Sequence, residues 1–336
     1  MSHSRCRAAI RMVAALLALC GLAGCGTLSG AALAGDPRPA DRVREAAGPL
    51  DATPFHPQHR FQCGPAALAT LLGASGIPAD PDALAAQVYV PHRRGSFQVE
   101  MVAATRAAGR IPWLVDGTLD ALAAEVAAGR PVLVLQNLGL PSLPRWHYAV
   151  VIGLDDATVT LRSGRRARLR LSSRAFLRSW NWAERWALVA LRPGEWPARP
   201  EPRRWLESMS DLELVGRQAI AAQGLEGAVE RWPREPLAWF ALGNSRYREG
   251  RRDEALAAWR RATHLAPDFA AAWNNLAHLL GESGCIAEAR AALARGLAVA
   301  QPAERHVLEA TERDLERRSQ PASSTASACS SASGSP

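Results

Sequence analysis

The chain has 336 residues, 48% of them hydrophobic and 21% charged, enough for two domains that each bury a core. Its formal charge of +8 comes from 40 basic residues, every one an arginine, against 32 acidic ones. These arginines are scattered along the chain, which argues against nucleic acid as a partner.

At the N-terminus, Arg5, Arg7 and Arg11 precede an apolar run at residues 12–22 that ends in Leu22, Ala23, Gly24 and Cys25. A basic start followed by an apolar stretch too short to span a bilayer is the pattern of a secretory signal. The last four residues resemble the lipobox of bacterial lipoproteins. That resemblance implies a signal peptide over residues 1–25, with Cys25 as the acylated first residue of the mature chain. Gly26 rather than an Asp follows, which by the same resemblance implies a lipid-anchored protein of the outer membrane that faces the periplasm. Residues 26–49, rich in Ala, Gly and Pro without periodicity, read as a flexible tether.

Residues 50–193 read as the first domain. Cys63, Gly64 and Pro65 lead into the apolar, helix-periodic run at 66–72, which puts Cys63 at a helix N-terminus. There, unpaired N–H groups and the helix dipole favour a thiolate. Helices are also expected over residues 82–88, 98–108 and 119–128. The β-branched runs at 131–137, after His147 at 148–154, and at 157–163 read as strands of a small antiparallel sheet, with a last strand at 186–191. Trp180, Trp182 and Trp186 read as core and edge packing. His56 and His59 flank Gln58 but lack partners at metal-ligand spacing, and His92 sits in a polar turn. No metal or cofactor is implied. Arg162, Arg165, Arg166, Arg168 and Arg170 form a basic cluster that reads as a solvated hairpin, with an acidic peptide or membrane phosphate as the alternative partner.

A Cys and a His 84 positions apart carry weight only through their contexts. Gln58, Gln62-Cys63-Gly64-Pro65-Ala66-Ala67-Leu68 and His147-Tyr148-Ala149-Val150-Val151-Ile152-Gly153 resemble the bacteriocin-processing, papain-like cysteine peptidases of the C39 and C39-like group. The resemblance implies an α+β papain-like domain in which Cys63 is the nucleophile, His147 the general base and Gln58 the donor to the oxyanion, with Gln62 as a weaker candidate. Where that family has an Asp-Pro pair, this chain has Ser163-Gly164. Ser163 is then the weak candidate for the third member, with Asp155 and Asp156 as alternatives.

After a linker at 194–204, residues 205–302 repeat themselves. Trp239 and Trp273, Leu242 and Leu276, Gly250 and Gly284, and Ala255 and Ala289 each lie 34 apart. That is the tetratricopeptide period, and Trp205, Gly216, Ala221 and Pro233 mark a degenerate first copy. About three repeats are expected, followed by a capping helix over 303–318 and a disordered Ser/Ala tail over 319–336. Such repeats offer a groove to a peptide or protein partner.

Of the 6 cysteines, only Cys285 and Cys329 have no assigned role, and their settings argue against a disulfide. The chain thus reads as a membrane-anchored cysteine peptidase acting on a peptide or protein through a Cys63 thioester, joined to an all-α repeat domain. Two alternatives remain open: a catalytically silent peptide-binding scaffold, and an acyl transferase or isopeptidase using the same pair.

Overall fold

The computed structural model describes residues 42, 43, 45–58, 62–93 and 95–319. The expected signal peptide, Cys25, most of the tether, His59 and the tail beyond Ser319 lie outside the described residues. Among the described residues, no helix is long and apolar enough to cross a membrane.

Three helices open the first domain: α1 (Cys63–Ala74), α2 (Pro81–Val88) and α3 (Gln98–Ala107). The rest of it alternates strands and helices: β1 (Ile111–Leu114), α4 (Leu119–Ala127), β2 (Val132–Asn137), β3 (Trp146–Leu154), β4 (Thr158–Ser163), β5 (Arg166–Ser172), α5 (Ser173–Asn181) and β6 (Ala187–Leu191). The strands form one antiparallel sheet of six in the order β1-β6-β2-β3-β4-β5. Two strands and one helix escaped the sequence reading. β1 has only four residues, β5 alternates arginine with half-buried residues, and α5 hides in the Trp-containing segment.

Covering both faces of this sheet explains why its central strands read as unbroken apolar runs. Successive side chains point to opposite faces. Leu133, Tyr148, Val150, Ile152 and Leu188 therefore pack with Leu68, Leu72 and Met101 of α1 and α3. Their neighbours Val134, Ala149, Val151 and Val189 pack on the other side with Leu122 of α4 and with Phe176 and Trp180 of α5. Of the three tryptophans assigned to packing, Trp180 is buried, and Trp186 sits edge-on to Tyr148 with ring centroids 5.8 Å apart.

The second face does not stop at the first domain. Helices α6 (Pro202–Leu214) and α7 (Gln218–Arg231) send Trp205, Met209, Leu212, Leu225 and Ala228 into the same core as Trp113 and Val189. Trp196 stacks on Trp205 at 4.1 Å, and the Trp113 ring lies 6.3 Å from Trp205. Helices α8 (Pro236–Arg248), α9 (Arg252–Leu265), α10 (Ala270–Glu282) and α11 (Ile286–Val299) continue as two more pairs, followed by α12 (Arg305–Ser319). Gly216, Gly250 and Gly284 turn the chain inside the three pairs at φ of +78°, +77° and +79°, a conformation that a side chain would strain.

Three expectations are corrected. The tether ends earlier than residue 49: Val43 and Ala47 are buried, Val43 N–H donates to Asp156 Oδ1 at 2.8 Å, and Ala47 bridges to Leu154. An extended segment finds its hydrogen bonds at the end of β3, which composition does not reveal. Arg162 does not belong to a solvated hairpin, because it is buried. Cys285 is disulfide-bonded. The other described cysteine, Cys63, is free, so the partner of Cys285 lies outside the described residues. Cys285 caps the start of α11 in a half-buried turn.

Candidate active site

Helix α1 begins at Cys63 with Gln62 as its N-cap, so the sulfur sits where the first N–H groups of the helix are unpaired. Gly64 permits this close packing. A Cβ there would fall 2.3 Å from Ser96 Oγ and 2.8 Å from Ser96 Cβ. Tyr148, which donates its hydroxyl to Ser96 O at 3.2 Å, holds that wall from the sheet side.

Gln58 lies in an irregular segment, and Arg162 anchors it. The Arg162 guanidinium donates to the carbonyls of Asp51 and Thr53, both at 2.8 Å, and to Ala167 O at 2.5 Å. Gln58 N–H then donates to Gly164 O at 3.0 Å, and its side-chain Nε2 reaches Tyr148 O at 3.3 Å. A buried arginine thus serves as a clamp for backbone carbonyls, satisfying groups that would be costly to leave unpaired. Sequence reasoning missed it, since an arginine in a basic run reads as surface.

His147, the second residue of β3, lies opposite Gln136 of β2. Its Nε2 lies 2.8 Å from Ser163 Oγ. Ser163 gets there because the β4–β5 register shifts between Leu161 and Ser163, so Leu161, Arg162 and Ser163 are all buried in succession. Such a bulge re-aims side chains that strict alternation would place on opposite faces. Asp155 and Asp156 are not near His147. They lie in the turn beyond Leu154, at the end of β3 opposite to the one that carries His147. There Asp155 binds the Ala157 and Thr158 N–H groups, and Asp156 holds Val43.

Gln58, Cys63, His147, Tyr148 and Gly164 line one groove of about 1080 Å³, with Phe97, Trp146, Arg145 and Arg165 on its walls. Gln62 and His92 are not among its lining residues. Phe97 and Trp146 are exposed at the rim. In the sequence, the Trp immediately before the candidate base is the signal for this rim. Among the described residues, no three His, Cys, Asp or Glu side chains gather as metal ligands would.

Electrostatics set the resting protonation. Burial pushes the Cys63 thiol above its ordinary value, against backbone hydrogen bonds from Tyr148, Gly64 and Cys63 itself. Burial also pulls His147 down to about 4, and the charge of Arg145 adds to this. The proton therefore rests on sulfur and the imidazole is neutral. The helix terminus expected to favour a thiolate is present, but desolvation outweighs it. Burial likewise raises the Tyr148 hydroxyl, with contributions from Cys63 and Glu100.

Residues 50–181 match the Peptidase_C39 like family. That stretch of the chain contains Gln58, Cys63, His147 and Ser163. Residues 243–284 match the TPR repeat. The chain thus joins a C39-like domain with an antiparallel sheet to helical tetratricopeptide repeats. Among solved structures, it is similar to one described as a C39-like peptidase from Bacillus anthracis, at 18% identity and a TM-score of 0.39, covering 44% of this chain and 98% of that one. For the repeats, it is similar to the Sgt2 TPR domain from Aspergillus fumigatus, at 19% identity and a TM-score of 0.32, covering 40% of this chain and 95% of that one. It is also similar to the Yersinia enterocolitica secretion chaperone SycD in complex with a YopD peptide, at 15% identity and a TM-score of 0.33, covering 34% and 90%. No curated protein matches the chain.

Proposed function

We propose that the C39-like domain is a cysteine peptidase. The observation that carries this reading is the gathering of Cys63, Gln58 and His147 around one groove, with His147 Nε2 held at 2.8 Å by Ser163. Cys63 sulfur attacks the peptide carbonyl while His147 removes the thiol proton, which suits a pair that is neutral at rest. Ser163 at Nε2 leaves Nδ1 as the nitrogen that takes the proton, provided the hydroxyl accepts from Nε2–H. The oxyanion is met by Gln58 Nε2, whose 3.3 Å bond to Tyr148 O is long enough to exchange, and by backbone N–H groups at the start of α1. The C–N bond breaks as His147 protonates the leaving amine, and water hydrolyses the Cys63 thioester.

The test is a search for turnover and for an acylated Cys63. The full chain is incubated with a diverse peptide mixture, new N-termini are counted, and the Cys63-containing peptide is weighed after acid quench. Peptidase activity predicts cleavage that Cys63→Ala abolishes and His147→Ala lowers at least about a hundredfold. The absence of both cleavage and acyl-Cys63 sinks the reading.

A second reading has its own support: a binding scaffold without turnover. A hydroxyl stands where a carboxylate would fix the imidazole, and the two pKa shifts oppose an ion pair. It predicts that Cys63→Ala keeps peptide binding and any cellular phenotype.

The repeats are proposed to bind a protein or peptide. A cavity of about 290 Å³ between α6 and α8, lined by Leu206, Ser210, Leu237, Phe240 and Asn244, supports this reading. The anchor is proposed at Cys25, with the domains facing the periplasm. Incorporation of an alkyne fatty acid that persists in Cys25→Ala would overturn it.

A further inference from the structure

Of the five arginines in the basic cluster of residues 162–170, four have other duties or other places. Arg162 is buried as a carbonyl clamp, Arg168 pairs with Asp51 at 3.2 Å, Arg170 reaches Thr158 Oγ1 at 3.4 Å, and Arg166 faces solvent outside the groove. Arg165 alone lines the groove. It stands on the β4–β5 turn, one residue beyond the Gly164 carbonyl that holds Gln58. A second arginine, Arg145, lines the groove from the β2–β3 loop, two residues before His147.

That loop is stiff. Asn137 Oδ1 accepts from Gly139 N–H and Arg145 N–H, both at 2.9 Å, and Leu140 and Leu143 exchange backbone hydrogen bonds at 3.1 Å. Arg145 is thus carried on a preformed support beside the base. Among the described residues, no acidic side chain forms an ion pair with the guanidinium of Arg145 or Arg165. Glu184 also lines the groove, and Glu100 acts on the Tyr148 hydroxyl. Other arginines of this domain do find carboxylates, as Arg106 does with Asp211 and Arg204 with Asp116. Two exposed, unpaired cations in a partly enclosed cleft focus a positive potential on it.

We infer that this groove selects peptides carrying a carboxylate within a residue or two of the reacting carbonyl, held by Arg145 and Arg165. The inference rests on the reading of Cys63 as the group that meets substrate. The carboxylate has two sources, an Asp or Glu side chain or a free C-terminus, and both offer the planar pair of oxygens that a guanidinium fork accepts.

The test uses two small thiol reagents of similar shape and opposite electrostatic character, iodoacetate and iodoacetamide. The full chain is treated with each, and modification of Cys63 is followed by mass spectrometry of the peptide that contains it. The rate ratio of anionic to neutral reagent is the readout, because any change in Cys63 ionisation cancels from it. At low salt the ratio is expected to exceed that of glutathione by about three- to tenfold, to fall with added salt, and to drop to the glutathione value in Arg145→Gln/Arg165→Gln. Arg145→Lys/Arg165→Lys should retain most of it. A ratio equal to that of glutathione and indifferent to the Gln substitutions overturns the inference. Both reagents reacting slowly, with the ratio still raised, would instead count against the activated nucleophile alone.

Peptide pools then separate the sources. Pools with Asp and Glu or with Asn and Gln, each as free acids or C-terminal amides, are passed over immobilised Cys63→Ala protein. Retention of acidic amides assigns a side chain, retention of neutral acids assigns the terminus, and equal retention of all four overturns the inference.

Discussion

The C39-like domain and the repeats build their interiors by different rules, and their tryptophans display the difference. In the repeats one solution is translated by 34 residues: Trp239 Nε1 donates to Pro233 O at 3.0 Å, and Trp273 Nε1 to Pro267 O at 2.8 Å. Trp205 occupies the same repeat position but donates to Gly224 O at 2.9 Å and packs against Trp196 and Trp113. The first copy is degenerate because one of its faces meets the sheet rather than another repeat. Such a stack needs caps. Here the C39-like domain caps one end and α12 covers the other, with Leu308 and Leu315 buried against α10 and α11.

The comparison is broken most severely by truncation. Ending the chain before α6 would uncover Trp113, Val189 and their neighbours, each buried side chain worth about 1.5–3 kcal/mol. Several such losses rival the 5–15 kcal/mol that holds a typical domain together. The isolated C39-like domain is expected to aggregate or melt early in calorimetry. A chain that ends after α9 should keep its Cys63 reactivity. Equal stability of the two truncations would show that α6 and α7 are mere passengers.

Two glycines sharpen the contrast. A Cβ at Gly64 meets Ser96 Oγ at 2.3 Å, whereas one at Gly243 meets Trp259 Nε1 at 2.4 Å. Each Ala substitution is expected to cost about 1–3 kcal/mol through overpacking. Only Gly64→Ala should also lower Cys63 reactivity, because it displaces the wall beside the thiol. Paired thermal melts and alkylation rates would check this, and a Gly243→Ala that slows alkylation would reveal coupling between the two regions.

The pH dependence should belong to the C39-like domain. With His147 at about 4 in the folded chain and an ordinary value of 6.5 unfolded, the unfolded state binds more protons between those limits. Stability is therefore full above pH 6.5 and falls as pH drops to about 4. The linked loss is of order 1–3 kcal/mol, discounted because the ring is only partly buried. Denaturant melts should show this slope in wild type and a shallower one in His147→Gln.

The smallest expected effect concerns Ser163. A hydroxyl can either accept from or donate to His147 Nε2, so it fixes the tautomer less firmly than a carboxylate would. Ser163→Ala is expected to lower peptide turnover about tenfold with little change in melting temperature, and Ser163→Asp to raise the pH below which His147-dependent turnover fails. No change in either profile would mean the 2.8 Å contact does not position the ring.

Much of the site was legible because its local signals are strong. A Cys before a small, apolar helix and a His opening a β-branched strand each announce their place, and Gln58 followed from resemblance. What escaped were the residues that carry these groups into register. Arg162 belongs to a run that reads as solvent-exposed, yet it clamps Asp51 and Thr53. Ser163 was a weak candidate in the sequence, but the register shift in β4 that brings it to the imidazole was not legible, and the β1 strand is too short to show a period.

By itself, the sequence determined the elements whose physics is local. These are the start of α1 at Cys63, the central strands with their two buried faces, and the 34-residue repeat with its left-handed glycines at 216, 250 and 284. Such features follow from backbone preference and side-chain period within a few neighbouring residues. Only the tertiary structure decided which tryptophans join the two regions, that Arg145 and Arg165 share a groove with Cys63, and that the proton rests on sulfur. Those outcomes depend on burial and on contacts between residues far apart in the chain, and desolvation belongs to the packed molecule rather than to any segment of it.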